Sequence, residues 1–149
     1  MNRTPDKLLS LQIAGLQGFY WMMFCPIASF ASVYLLSKDF SNQKIGWVMA
    51  LSNIMAILLQ PLLGTLIDRF QELSPKRVLC CLSILSIALL GGLIFIKTGM
   101  LLLAIFYMLI VALLVTMQPL VNALTFEYIN AGHNISFGMT RAMGSISFA

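Results

Sequence analysis

Charged side chains fall along this sequence in clusters, and four long stretches between them carry none. No Asp, Glu, Lys or Arg occurs from Leu8 to Ser37, Ile45 to Ile67, Val78 to Ile96 or Thr98 to Phe126, runs of 30, 23, 19 and 29 residues. Roughly 20 apolar residues in a helix cross a bilayer, so each run predicts one spanning helix and none is long enough for two. A fifth apolar segment begins near Phe137 and runs to Ala149. The predicted helices cover residues 8–36, 45–67, 78–96, 100–125 and the start of a fifth at 138–149. The connections are Lys38 to Lys44, Asp68 to Arg77, Lys97 to Gly99 and Glu127 to about Ser136, short enough to force neighbouring helices antiparallel. The first run is longer than a secretory h-region, and no small-residue cleavage site closes a short one. The expected fold class is an all-α integral membrane protein: four complete transmembrane helices and the start of a fifth, without a soluble domain, linker or low-complexity tract.

Composition agrees. Of 149 residues, 60% are hydrophobic and 9% charged, against about a quarter charged in soluble domains, which leaves too few charges to cover a water-facing surface. The net charge of +4 comes from nine Lys and Arg spread along the chain, with no basic run and no aromatic-interleaved patch, so no nucleic-acid partner is expected. The bilayer is the expected environment, and the basic residues report topology. With the N-terminus in the cytoplasm, the inner side collects Arg3, Lys7, Arg69, Lys76, Arg77 and Arg141, and the outer side keeps Lys38, Lys44 and Lys97. Cys25, Cys80 and Cys81 lie in apolar stretches, lack metal-ligand spacing and read as small hydrophobes.

The spans carry more than an anchor needs. In the second, Gly46, Asn53, Gln60, Gly64 and Asp68 fall within about 80° of arc at 100° per residue. Amides in hydrocarbon are costly without a partner, so this stripe faces either a helix-packing seam or a wet cavity. In the fourth, Gln118, Asn122 and Thr125 share a face beside Pro119, which frees a backbone carbonyl. The first carries Gln12, Gln17, Tyr20 and Trp21 ahead of Pro26 and a run of small residues; its two aromatic rings either stack on a ligand or simply pack. Arg141 is read in two ways: as the basic flank of the fifth helix, or as a residue inside the membrane needing an anionic, carbonyl or aqueous partner. His133, in a polar loop with Asn130, Gly132 and Asn134, reads as solvated. No nucleophile motif, carboxylate pair, phosphate loop or metal spacing occurs, so neither an enzyme nor a cofactor is expected.

Gly64-Thr-Leu-Ile-Asp68-Arg69, followed across a short loop by Lys76-Arg77, resembles the signature between helices two and three of the major facilitator superfamily. Gly46, Gln60-Pro61-Leu62-Leu63, Pro119-Leu-Val-Asn-Ala and Gly138-Met-Thr-Arg141-Ala-Met-Gly144 are similar to the lactose permease branch, the oligosaccharide–proton symporters. The resemblance implies a twelve-helix fold of two six-helix halves, with solute held between them. It implies a cytoplasmic latch at Gly64, Asp68, Arg69, Lys76 and Arg77, in which Asp68 pairs with the opposite half. It also implies a substrate site at Arg141, to which Asn122, Gln118, Trp21, Tyr20 and Asn53 are added as lining.

The sequence departs from that branch in three places. Asn122 stands where the branch has a glutamate partnering the arginine, which points from lactose toward another sugar, a nucleoside or an anionic organic solute. Glu127 is the nearest acid, about half a turn round from Asn122 and expected beyond the helix end. The loop after Arg69 runs Phe70-Gln71-Glu72-Leu73-Ser74-Pro75 without the usual glycine. Residues 1–149 match only the N-terminal part of such a transporter. The expectation is therefore a fragment that needs the missing C-terminal half, with protons as coupling ion, in a bacterial plasma membrane. The alternative is a small polytopic interaction protein without transport activity.

Overall fold

The structure is a computed structural model that describes residues 6–70, 73–95 and 99–149. Its described elements are helices α1 (Lys7–Ser29), α2 (Ala31–Leu36), α3 (Asn42–Arg69), α4 (Pro75–Phe95), α5 (Met100–Asn130) and α6 (Phe137–Phe148), with no strand among the described residues. Helices α1, α3, α4 and α5 have 23, 28, 21 and 31 residues. At 1.5 Å rise per residue they are about 32 to 47 Å long, enough to cross a hydrocarbon core of about 30 Å.

Two boundaries differ from the sequence expectation. The first span, expected unbroken over 8–36, is interrupted at Phe30, whose φ of −97° and ψ of 9° leave the helical region. Pro26, four residues earlier, disturbs only the turn before it, and the Phe30 N–H still reaches the Pro26 carbonyl at 3.2 Å, so no residue in the local sequence explains the break. The break is stitched from outside: the Tyr107 hydroxyl of α5 donates to the Ile27 carbonyl. The fourth span, expected to stop at 125, continues to Asn130, so Glu127 lies inside α5, exposed on its last turns, and not beyond its end. The expected bounds 45–67, 78–96 and 138–149 compare with Asn42–Arg69, Pro75–Phe95 and Phe137–Phe148; Arg3, Gln71, Glu72, Ile96 and Lys97 lie outside the described residues.

The ends follow local chemistry. Ser41 and Ser136 cap α3 and α6, their hydroxyls accepting from the N–H of Lys44 and Met139. Pro75 occupies the first helical position of α4, where its missing N–H costs nothing. After α2, Asp39 takes a φ of 64° and the Phe40 N–H reaches back to the Leu35 carbonyl at 3.1 Å. This is a Schellman turn, and Leu35 and Phe40, both buried, make its hydrophobic contact.

Helix α5 is the centre of the bundle, with α3 and α4 packed against it, while α1 pairs with α6 and touches α5. Ile110, Val111, Leu114, Met117 and Val121 of α5 are buried in the core. The polar residues that this arrangement buries mostly satisfy themselves: Ser52, Thr116 and Thr125 donate to the carbonyl four residues back. One end of the bundle is tied by Asp6, whose carboxylate pairs with His133 Nδ1 at 2.9 Å and accepts from the Asn134 N–H. His133 is thus exposed but partnered. At the other end Lys44 Nζ donates to Met100 Sδ at 3.2 Å.

Candidate functional site

Near the middle of α1, Gln17 and Trp21 are four residues apart and so project from the same face. Gln17 is 1% exposed and donates its Nε2 to Asn122 Oδ1 of α5 at 3.0 Å. Gln118, one turn earlier on α5, is half-buried on the Asn122 face. Trp21 lies against α6, where the Arg141 guanidinium sits 4.6 Å from the indole ring centre. The approach needs Gly144: a Cβ built there would stand 2.4 Å from Trp21 Cδ1. Phe148 and Phe24 meet the indole edge-on at 5.5 Å, and Tyr20 does so at 5.3 Å.

The polar ends of these groups are unevenly served. Arg141 Nη1 and Trp21 Nε1 are buried and have no hydrogen-bond partner among the described residues. Asp6, Asp39, Asp68 and Glu127 are the acids described, and Arg141 forms an ion pair with none of them. The cation is held by the face of an aromatic ring, an attraction that leaves the guanidinium edge available for hydrogen bonds. Buried donors without acceptors are costly, and this cluster holds two of the three buried side-chain polar atoms that lack a partner among the described residues, the third being Ser86 Oγ.

The remaining sequence candidates are placed elsewhere. Tyr20 is buried and its hydroxyl donates to the Leu114 carbonyl at 2.9 Å, so its polar end is spent on the backbone. Asn53 is exposed on α3 and donates to Met49 O of its own helix at 2.8 Å, apart from the Trp21–Arg141 pair. The α3 stripe as a whole is not a seam of this bundle. The buried face of α3 is Ile45, Val48, Ser52 and Ala56, whereas a Cβ at Gly46 or Gly64 meets nothing within 4 Å. Asp68 and Arg69 are exposed at the end of α3, the Arg69 guanidinium 6.0 Å from the Phe70 ring. Lys76 is exposed at the start of α4, beside Gln12 and Tyr128 in a cavity of about 440 Å³. The Arg77 N–H turns back on Ser74. A second cavity of about 440 Å³ lies between α1 and α6. Neither cavity reaches Trp21 or Arg141, which lie half-buried at the bundle surface.

Gln17, Gly144 and Phe148 are site residues that the candidate set lacked. The spacing of Gln17 from Trp21 was a usable signal; nothing in the sequence marks Gly144 as the residue under the indole.

The profile of the MFS_1 like family matches residues 13–149. The chain belongs to the MFS_1 like family. It is thereby related to the major facilitator superfamily, a superfamily of transporters, and its four apolar helices make this MFS_1 like protein a multi-pass membrane protein. No curated protein and no solved structure gave a match.

Proposed function

We propose that this MFS_1 like chain forms part of a secondary transporter, moving a small sugar-like or nucleoside-like solute by alternating access, with protons as the coupling ion. The observation that carries the reading is the Trp21–Arg141 cluster: two buried, unpartnered donors where a helix used only as an anchor would have apolar side chains. The unpacked polar stripe of α3, at Gly46, Asn53, Gly64 and Asp68, supports a second helical bundle meeting this one, in keeping with the two-bundle logic of alternating access. In this reading residues 1–149 supply most of the N-terminal half, and a C-terminal half of the lactose permease kind completes the cavity. Asp68, Arg69, Lys76 and Arg77 form the latch between the halves. The N-terminus is cytoplasmic, and the membrane is a bacterial plasma membrane.

The test is solute uptake by cells making the complete transporter, with Arg141→Lys and Arg141→Ala. Both variants are expected to insert normally and to lose at least about tenfold in uptake, the cost of about 1.4 kcal/mol of lost solute contact. Uptake at the native rate by both variants removes Arg141 from the solute site. Solute-driven alkalinisation of the medium is the expected sign of proton coupling.

A further inference from the structure

We infer that the solute carries an oxyanionic group, a carboxylate or a phosphate, and that this group is received at Arg141 against the face of Trp21. The inference rests on the proposed transport site and names the chemistry that site selects. Its first support is charge. The Arg141 cation forms no ion pair with any of the described acids, and the amide pair Gln17–Asn122, which joins α1 to α5, is neutral. Among the described residues this cation has no counter-charge, and an anionic group on the solute would supply one.

The second support is the kind of hydrogen-bonding group left over. The two buried, unpartnered polar atoms of the site, Arg141 Nη1 and Trp21 Nε1, are both donors. A sugar hydroxyl can accept from them, but its own proton then needs an acceptor, and the two atoms that the site leaves unpartnered offer none. An oxyanion brings acceptors only and leaves no proton unpaired. The third support is geometry. The guanidinium lies 4.6 Å from the indole centre, so the ring holds it in place, and its Nη1 has no hydrogen-bond partner among the described residues.

The preference can be read without knowing the solute. The chain has two tryptophans, so Trp47→Phe leaves Trp21 as the single indole. In bilayer nanodiscs, its fluorescence is titrated with iodide, caesium and neutral acrylamide at constant ionic strength. Iodide is expected to quench at least about threefold more strongly than caesium, the enrichment a local positive field gives an anion. Arg141→Gln should bring the ratio to about one, and Arg141→Lys should keep most of it. Equal quenching by the two ions, a preference that survives Arg141→Gln, or no quenching even by acrylamide would each overturn the inference. The uptake assay separates the two levels. Anion preference without uptake of any solute defeats the transport reading alone, and uptake with no anion preference defeats this inference alone.

Discussion

A single methyl group at Gly144 decides where Trp21 can lie. An added Cβ would stand 2.4 Å from Cδ1 and 2.8 Å from Nε1 of a ring already edged by Phe24, Phe148 and Tyr20, so the indole has to move as a rigid plate. At Gly18 the corresponding neighbour is the Ser147 hydroxyl at 2.9 Å, which turns aside by rotating one bond. In the Trp47→Phe background, Gly144→Ala is expected to shift the Trp21 emission and to lower stability by about 1–3 kcal/mol, the usual cost of overpacking. Gly18→Ala is expected to change neither by a comparable amount. Emission spectra and thermal unfolding in detergent check both, and an unshifted Gly144→Ala spectrum would mean that the indole is not pinned against α6. Trp21, Asn122 and Arg141 were legible in the sequence because polar and cationic side chains in apolar runs need partners. Which partners they meet was not legible: Gln17 and Asn122 are 105 positions apart, and only the packing of α1 on α5 joins them.

At the scale of helices, one proline explains more than it disrupts. Pro119 cannot donate to the Val115 carbonyl one turn back, and the Gln60 side chain of α3 reaches that same carbonyl at 3.4 Å. The one amide of the α3 stripe that turns toward α5 is thus explained by a gap in the partner helix. Gln60→Leu is expected to cost about 0.6 kcal/mol, the average for interhelical hydrogen bonds in a membrane, when measured by unfolding in mixed micelles. In a Pro119→Ala background the new N–H takes the carbonyl over, and the same substitution should then cost nearly nothing. Equal costs in both backgrounds would show that Gln60 does not serve that carbonyl. The same logic accounts for what the charge pattern missed. Charges mark where hydrocarbon ends, not where a helix ends, so α5 runs on through exposed Glu127 to Asn130. Conversely, nothing polar marks Phe30, where the first span breaks, and the Tyr107 hydroxyl meets the Ile27 carbonyl beside that break.

Taken as a whole, the bundle has two chemically different ends. The contact of Asp6 with His133 and the cavity shared by Lys76 and Tyr128 put the starts of α1 and α4 beside the end of α5, so Lys7, Arg69, Lys76 and Arg77 gather at one end. Lys38 and Lys44 lie at the other, where Lys44 meets Met100. Four short connections could be drawn from the sequence, yet only the helix packing shows that α1 and α6, first and last in the chain, run side by side and parallel. Basic residues are retained on the cytoplasmic side during insertion, so the end with more of them should face the cytoplasm. Asn130 and Asn42 are exposed, one at each end, and report the orientation once Cys25, Cys80 and Cys81 are replaced by Ala. In intact cells a membrane-impermeant maleimide is expected to label Asn42→Cys, and to label Asn130→Cys only after permeabilisation. The reverse pattern would place the Asp6–His133 contact outside and invert the sidedness proposed for the latch. Labelling of both in intact cells would mean that the chain inserts in two orientations, which the excess of basic residues at the Asp6–His133 end makes unfavourable but which Lys38→Ala and Lys44→Ala should then suppress.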